Sequence, residues 1–159
     1  MTDPNRQQMT VTRVFDAPRE LVWKTWTEPE HFAHWFGTPP LTTPVEEISM
    51  DVRPGGKWAA TMVHEEDPTN RLPFRGKYAE VVEPERLVMI FEDVTYDDNP
   101  NVETLTVTFT DLGDGRTEIV ANQAGHMPEE EYGEPLQSGY GGFFDRLDAH
   151  LADLQKGAA

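Results

Sequence analysis

The chain contains no cysteine, and acidic residues far outnumber basic ones. Lys and Arg total 13 and Asp and Glu total 29, which gives a formal net charge of −16 over 159 residues. The lack of cysteine excludes disulfides, thiolate nucleophiles and cysteine metal ligands. A polyanionic surface repels the phosphates of nucleic acids and anionic lipid head groups. We therefore expect neither nucleic acid nor a membrane as a partner.

Long apolar runs are also missing. No stretch approaches the length of a membrane span, and the first eight residues lack the basic and apolar regions of a signal peptide. The sequence therefore predicts a cytoplasmic protein. What the chain does have is a core-forming composition, with four Trp, four Tyr and eight Phe. Its length predicts one domain over residues 1–159, with an ordered core from about residue 9 to 155.

The first forty residues predict a strand followed by two short helices. The strand ends near Phe15, and Pro18 suits a helix start because its missing N–H would be unpaired there anyway. Glu28 before Pro29 ends that helix, since the residue before proline avoids helical geometry. A second helix is expected over Pro29–Trp35.

Six strands and one long helix are predicted for the rest of the chain. Turn signals rich in Gly, Pro and Asp separate the strands, which favours an antiparallel meander. The predicted strands are Val45–Val52, Lys57–Glu65, Phe74–Val82, Leu87–Val94, Val102–Thr110 and Thr117–Ala124. Thr95–Asn101 is predicted as an acidic loop. From about Pro135, apolar residues recur at spacings of three or four, as on one face of a helix. The fold class is therefore α+β.

Five motifs, in this order, resemble a known superfamily. They are FDAPRELVW at Phe15–Trp23, EPEHFAHWFG at Glu28–Gly37, RPGGKW at Arg53–Trp58, FRGKYAEVVEPERLVMIFE at Phe74–Glu92 and GYGGFFDRLDAHL at Gly139–Leu151. Together they resemble the START-like helix-grip (SRPBCC) superfamily, and within it the homologues of the activator of heat-shock-protein ATPase, in its C-terminal domain type. One departure is Tyr140, which stands where family members more often carry tryptophan.

The resemblance implies a curved antiparallel sheet of six to seven strands wrapped around the C-terminal helix, with a cavity between them. The two short helices would close one end, and Trp35, Phe36 and Gly37 would form a plug or gate at the cavity mouth. The expected ligand-binding residues are Trp35, Trp58, Met62, His64, Tyr78, Phe91, Phe109, Tyr140 and Phe144. Aromatic residues and methionines at strand spacing also suit an ordinary core, so that alternative stays open.

No catalytic motif is present, and no cofactor or metal is expected. His31 and His34 lie three residues apart, but two ligands make a poor metal site. Asp93, Asp97, Asp98 and Glu103 lack the spacing of a calcium loop and are interpreted as a solvated acidic loop. The polar residues best suited to orient a ligand or move a proton are His64, Arg75, Glu92, Gln123 and His126. A cross-strand ion pair is the alternative role for Arg75 and Glu92.

Three hypotheses for function follow. The first is a container for a small apolar molecule, acting as a monomer or homodimer. The second is a cyclase, dehydratase or hydrolase, for which His64 with Glu92 is the best available acid–base pair. The third, a co-chaperone that stimulates a heat-shock ATPase, ranks last because the chain lacks room for the second domain of the eukaryotic activators. Fold alone does not decide among them.

Overall fold

The computed structural model describes residues 7–37, 40–96, 99–125 and 129–157. The strands are β1 (Gln7–Phe15), β2 (Leu41–Thr42), β3 (Ile48–Met50), β4 (Lys57–His64), β5 (Arg71–Val82), β6 (Arg86–Tyr96), β7 (Asn99–Asp111) and β8 (Thr117–Gly125). The helices are α1 (Arg19–Thr27), α2 (Pro29–Phe32) and α3 (Glu134–Gly157), with 3₁₀ turns at Val45–Glu47 and Glu129–Tyr132. Among the described helices, none is long and apolar enough to cross a membrane.

All eight strands form one antiparallel sheet, so the predicted α+β fold is confirmed. The strand order is β1-β8-β7-β6-β5-β4-β2, and β3 also pairs with β4. Strands β4 to β7 each pair with the strand that follows in the chain, as expected for a meander joined by short turns. Gly55 and Gly115 have φ of +83° and +80°, which these tight reversals require and which residues with a Cβ rarely adopt.

One face of the sheet, the inner face, carries the core. Leu105, Val107 and Phe109 of β7 are buried, whereas the threonines between them are more exposed. The side chains of β4 alternate in the same way, and its buried members Trp58 and Met62 lie on this face. The inner face is therefore apolar along both strands.

Helices α1 and α3 pack on the inner face through large side chains. Trp26 of α1 meets Phe109 of β7 edge-on, with ring centroids 6.1 Å apart. Phe144 of α3 meets Phe15 of β1 in the same way at 5.7 Å. The apolar stripe of α3 is buried at Tyr140, Phe144, Leu147 and Leu151. Edge-to-face packing of aromatic rings is favourable beyond the apolar area that it buries.

Three predicted boundaries were wrong. The strand expected over Val45–Val52 begins with a 3₁₀ turn and is regular only at Ile48–Met50. The second helix ends at Phe32 and continues as turns, in which the N–H of His34 bonds to the carbonyl of His31. The acidic loop expected over Thr95–Asn101 is largely strand, because Tyr96 pairs with Asn99 and extends the β6–β7 hairpin. Residues 97–98 lie outside the described residues.

Candidate functional site

A cavity of about 250 Å³ lies between the inner face of the sheet, the α1–α2 segment and α3. Its lining is mostly apolar and comes from all three parts of the fold. The apolar side chains on it are Trp26, Phe32, Trp35, Phe36, Met62, Phe74, Met89, Phe91, Leu105, Pro135, Leu136 and Phe143. The polar ones are Glu103, Gln123, Glu131 and Tyr140. Concave, mostly apolar pockets with a few convergent polar groups are typical of small-molecule sites.

Five rings on one part of the lining contact one another and are called here the aromatic wall. They are Phe32, Trp35, Phe36, Phe74 and Phe143. Phe36 is central, since it stacks on Phe32 at 4.5 Å and meets Phe74 and Phe143 at 5.6 Å and 5.4 Å. The wall is therefore held by ring packing that joins α2, β5 and α3.

The backbone at the end of this segment is fixed by two side chains. The hydroxyl of Thr43 donates to the carbonyl of Phe36, and Arg146 of α3 donates to the carbonyl of Gly37. Gly37 has φ of +124°, a conformation that favours glycine. Two of the three residues predicted to form a plug, Trp35 and Phe36, are buried and line the cavity. A gating role for it stays a prediction.

The polar wall consists of Glu103, Gln123 and Tyr140, joined by hydrogen bonds. Glu103 is only 1% exposed, and its Oε1 accepts from the Gln123 amide at 3.0 Å. The Tyr132 hydroxyl also donates to this carboxylate, 2.8 Å and 2.9 Å from its two oxygens. Tyr140 donates to Oε1 of Gln123 at 2.6 Å. A buried carboxylate is costly unless it accepts such bonds, and this network supplies them.

Gly125 makes room for the buried carboxylate. Thr104 pairs with Ala124, which places Gly125 beside Glu103 on the neighbouring strand. A Cβ at position 125 would lie 1.7 Å from Oε2 of Glu103, far inside contact distance. Glycine is therefore needed here for the close approach of the carboxylate.

The Tyr140 hydroxyl is held as a donor by its surroundings. Burial, and after it the negative charge of Glu103, raise the pKa of Tyr140 above its ordinary value. The protonated hydroxyl can therefore keep its bond to Gln123 over the usual working range of pH. The departure from tryptophan noted at this position places a hydroxyl in the cavity lining.

Eight of the nine predicted ligand-binding residues divide into two groups, and the ninth, His64, is half-buried and is not part of the cavity lining. Trp35, Met62, Phe91 and Tyr140 line the cavity. Trp58, Tyr78, Phe109 and Phe144 are buried in the core and are not part of this lining. Their separation arises because the core and the cavity share the inner face, and strand spacing does not distinguish the two. Ligand binding by either group stays a prediction.

The structure does not bring His64 and Glu92 together. His64 has the inner-face phase of Met62 and accepts a bond from the N–H of Glu66 at 3.2 Å. Glu92 follows the inward-facing Phe91 and points to the outer face, 3.6 Å from Nζ of Lys77. The candidate acid–base pair is therefore split across the sheet.

The main residue that the sequence interpretation missed is Glu103. The sequence predicts it in a solvated acidic loop, but it lies buried in β7. The available signal was its phase, since Glu103 precedes Leu105 and Val107 on the same face. Gln123, predicted as a polar residue that could orient a ligand, lies on the lining. His126, another candidate, lies outside the described residues.

His31 and His34 contact a third histidine, His150 of α3. Nδ1 of His31 lies 3.1 Å from Nε2 of His150, and His34 stacks on His150 with ring centroids 4.1 Å apart. Burial, then the charges of His34 and His31, lower the pKa of His150 to about 4. Within the described ranges, no group of three or more His, Asp or Glu has a geometry suited to a metal ion.

This architecture, a sheet and a long C-terminal helix enclosing an apolar cavity, is the helix-grip class. Residues 16–152 match the family described as Activator of Hsp90 ATPase homolog 1-like protein. The chain therefore belongs to this AHSA1 family, as the sequence motifs indicated.

Solved structures of bacterial proteins share the fold. A Staphylococcus aureus protein of unknown function has a TM-score of 0.77 at 19% identity, covering 95% of this chain and 96% of that one. A Nitrosomonas europaea protein has a TM-score of 0.76 at 24% identity, covering 98% and 99%. The AHSA1-like protein of Aeromonas hydrophila has a TM-score of 0.74 at 17% identity, covering 94% of each chain. Among curated protein sequences, none matches.

Proposed function

We propose that the protein binds a small, largely apolar molecule in the cavity. The observation that carries the proposal is a space of about 250 Å³ lined mostly by apolar side chains, with a compact polar group in its wall. An engineered apolar cavity of roughly 150 Å³ is enough to hold benzene. The space therefore suits a ligand of one or two rings.

The support for the alternatives is weaker. The enzyme hypothesis needs an acid–base pair, and His64 and Glu92 occupy different faces of the sheet. A role in activating a heat-shock ATPase rests on the family description alone. A pull-down with that ATPase, followed by an assay of its stimulation, tests the latter role directly.

A panel of one- and two-ring apolar compounds tests the proposal by thermal unfolding and native mass spectrometry. A compound present at 100 times its Kd should stabilise the protein by about 2.7 kcal/mol. The variant Leu105→Phe places a larger side chain on the lining and should weaken binding about tenfold or more, since it fills the space a ligand would occupy.

Thr106→Val is the matched control, because Thr106 lies on the same strand with its side chain on the outer face. It should bind like the wild type. If no compound of the panel stabilises the wild type, or if both variants bind alike, the cavity is not a binding site and the proposal is wrong.

A further inference from the structure

The polar wall offers both kinds of hydrogen-bonding group to the cavity. Glu103 is an acceptor, because the Tyr132 hydroxyl and the Gln123 amide both donate to it. Gln123 and Tyr140 contribute an amide and a hydroxyl, which carry donors as well as acceptors. The three side chains form one chain of hydrogen bonds of 2.6 Å and 3.0 Å, so they present a single continuous polar surface.

Outside the polar wall, the lining offers few polar groups. Its other side chains are apolar or aromatic except Glu131, which belongs to the 3₁₀ turn Glu129–Tyr132, and among them Trp26 has a buried indole N–H with no hydrogen-bond partner in the described residues. A polar group placed among these apolar side chains would lose its bonds to water without replacement, which is costly. The polar wall is the part of the lining where several hydrogen-bonding side chains converge, so it is the place best suited to a ligand's polar group.

We infer that the cavity selects ligands that carry a hydroxyl group on a compact apolar body, a small alcohol or phenol, with the hydroxyl at Glu103, Gln123 and Tyr140. This inference rests on the proposed function, since it names the ligand class of the same cavity. A hydroxyl both donates and accepts, which matches a wall that holds acceptors and donors. A carboxylate on the ligand could only accept hydrogen bonds, and it would add a second negative charge beside Glu103.

Charge on the whole molecule acts in the same direction. The formal net charge of −16 disfavours the approach of anions, and the buried Glu103 disfavours a second negative charge in the cavity. We therefore expect the negative charge of Glu103 to disfavour fatty acids and aromatic acids as ligands. The selection is for neutral molecules with a hydroxyl.

Three probes with the same apolar body test the inference: 2-naphthol, naphthalene and 2-naphthoate. Binding to the full-length protein is measured by titration calorimetry at pH 7.5. We expect 2-naphthol to bind about tenfold tighter than naphthalene, since hydrogen bonds to a charged group are among the stronger ones. We expect 2-naphthoate to bind more weakly than naphthalene by at least a similar factor.

Glu103→Gln keeps the size of the side chain and removes its charge. It should raise the affinity for 2-naphthoate towards the affinity for naphthalene. It should also reduce the ratio of the affinities for 2-naphthol and naphthalene. Thr106→Val, whose side chain lies on the outer face of the sheet and away from the cavity, is the control and should leave both affinity ratios unchanged. Because the wild-type ranking needs no variant, a poorly folded Glu103→Gln protein would not prevent the test.

Two outcomes would overturn the inference in distinguishable ways. If all three probes bind the wild type with equal affinity, or if 2-naphthoate binds tightest, the cavity is a binding site but does not select a hydroxyl. If none of the three binds, the proposed function fails together with the inference.

Discussion

The aromatic wall and the polar wall of the cavity are built by different forces. The rings of the aromatic wall contact one another through many weak contacts, with ring centroids between 4.5 Å and 6.3 Å apart. Glu103, Gln123 and Tyr140 depend on a few directional hydrogen bonds. Ring packing stabilises the fold and sets the shape of the space, whereas hydrogen bonding sets which chemical groups are accepted in it. Substitutions in the two walls should therefore differ in size of effect.

The largest effect is expected for Phe36→Ala in the aromatic wall. Removing a ring from this nearly buried cluster should lower the free energy of unfolding by about 3–5 kcal/mol. Phe36→Leu, which keeps most of the apolar volume, should cost less than half as much. Denaturant unfolding with an unchanged m-value measures both. A loss for Phe36→Ala below about 1 kcal/mol would show that the wall is not a packed part of the core.

A single methyl group should damage the polar wall. Gly125→Ala places a Cβ against Glu103 and should cost about 1–3 kcal/mol, because the buried carboxylate must move from its donors. Gly141→Ala in α3 is the control, since its Cβ would meet nothing within 4 Å and alanine favours a helix. The control should be neutral or slightly stabilising. Equal effects at the two positions would contradict the close approach of Glu103 to Gly125.

A comparison of two buried tyrosines, one with a hydrogen bond and one without among the described residues, measures the contribution of the bond between Tyr140 and Gln123. Tyr140→Phe leaves Oε1 of Gln123 without its donor and should cost about 1–2 kcal/mol. Tyr78→Phe removes a buried hydroxyl for which the described residues supply no hydrogen-bond partner, so it should be neutral or stabilising. Thermal and denaturant unfolding of both variants give the difference. The reverse order would mean that the network of the polar wall contributes little.

The smallest effect is a pH dependence at the contact between α2 and α3. The pKa of His150 is lowered to about 4 in the folded protein, below the ordinary value of 6.5. The unfolded chain therefore binds an extra proton between these values, and stability contributed here is complete above pH 6.5 and falls as the pH drops towards 4. His31, His34 and Asp153 are the charged neighbours.

His150→Gln should remove this contribution, so its loss of stability between pH 7 and pH 5 should be smaller than that of the wild type. Unfolding in denaturant at both pH values measures the difference, and the many carboxylates of the chain act equally in both proteins. Identical pH profiles would show that the pKa of His150 is not lowered in the folded protein.

Much of the fold could be predicted because it depends on local signals. Pro18 and Pro29 mark helix starts, Gly55 and Gly115 mark turns, and the alternation from Leu105 to Phe109 marks a strand with one buried face. The site was harder to predict. Trp35, Met62, Phe91 and Tyr140 lie on the cavity lining, but the spacing of residues in the sequence could not separate them from core residues such as Trp58.

The sequence by itself determined the meander, the amphipathic C-terminal helix and the absence of cysteine chemistry, because composition and side-chain periodicity act along the chain. Only the tertiary structure decided that Glu103 is buried and that Glu92 lies on the outer face of the sheet, beside Lys77. The physical reason is that a carboxylate's environment depends on donors from distant segments. Gln123 and Tyr132 supply those donors, and Gly125 supplies the space, through pairing and packing that no local pattern encodes.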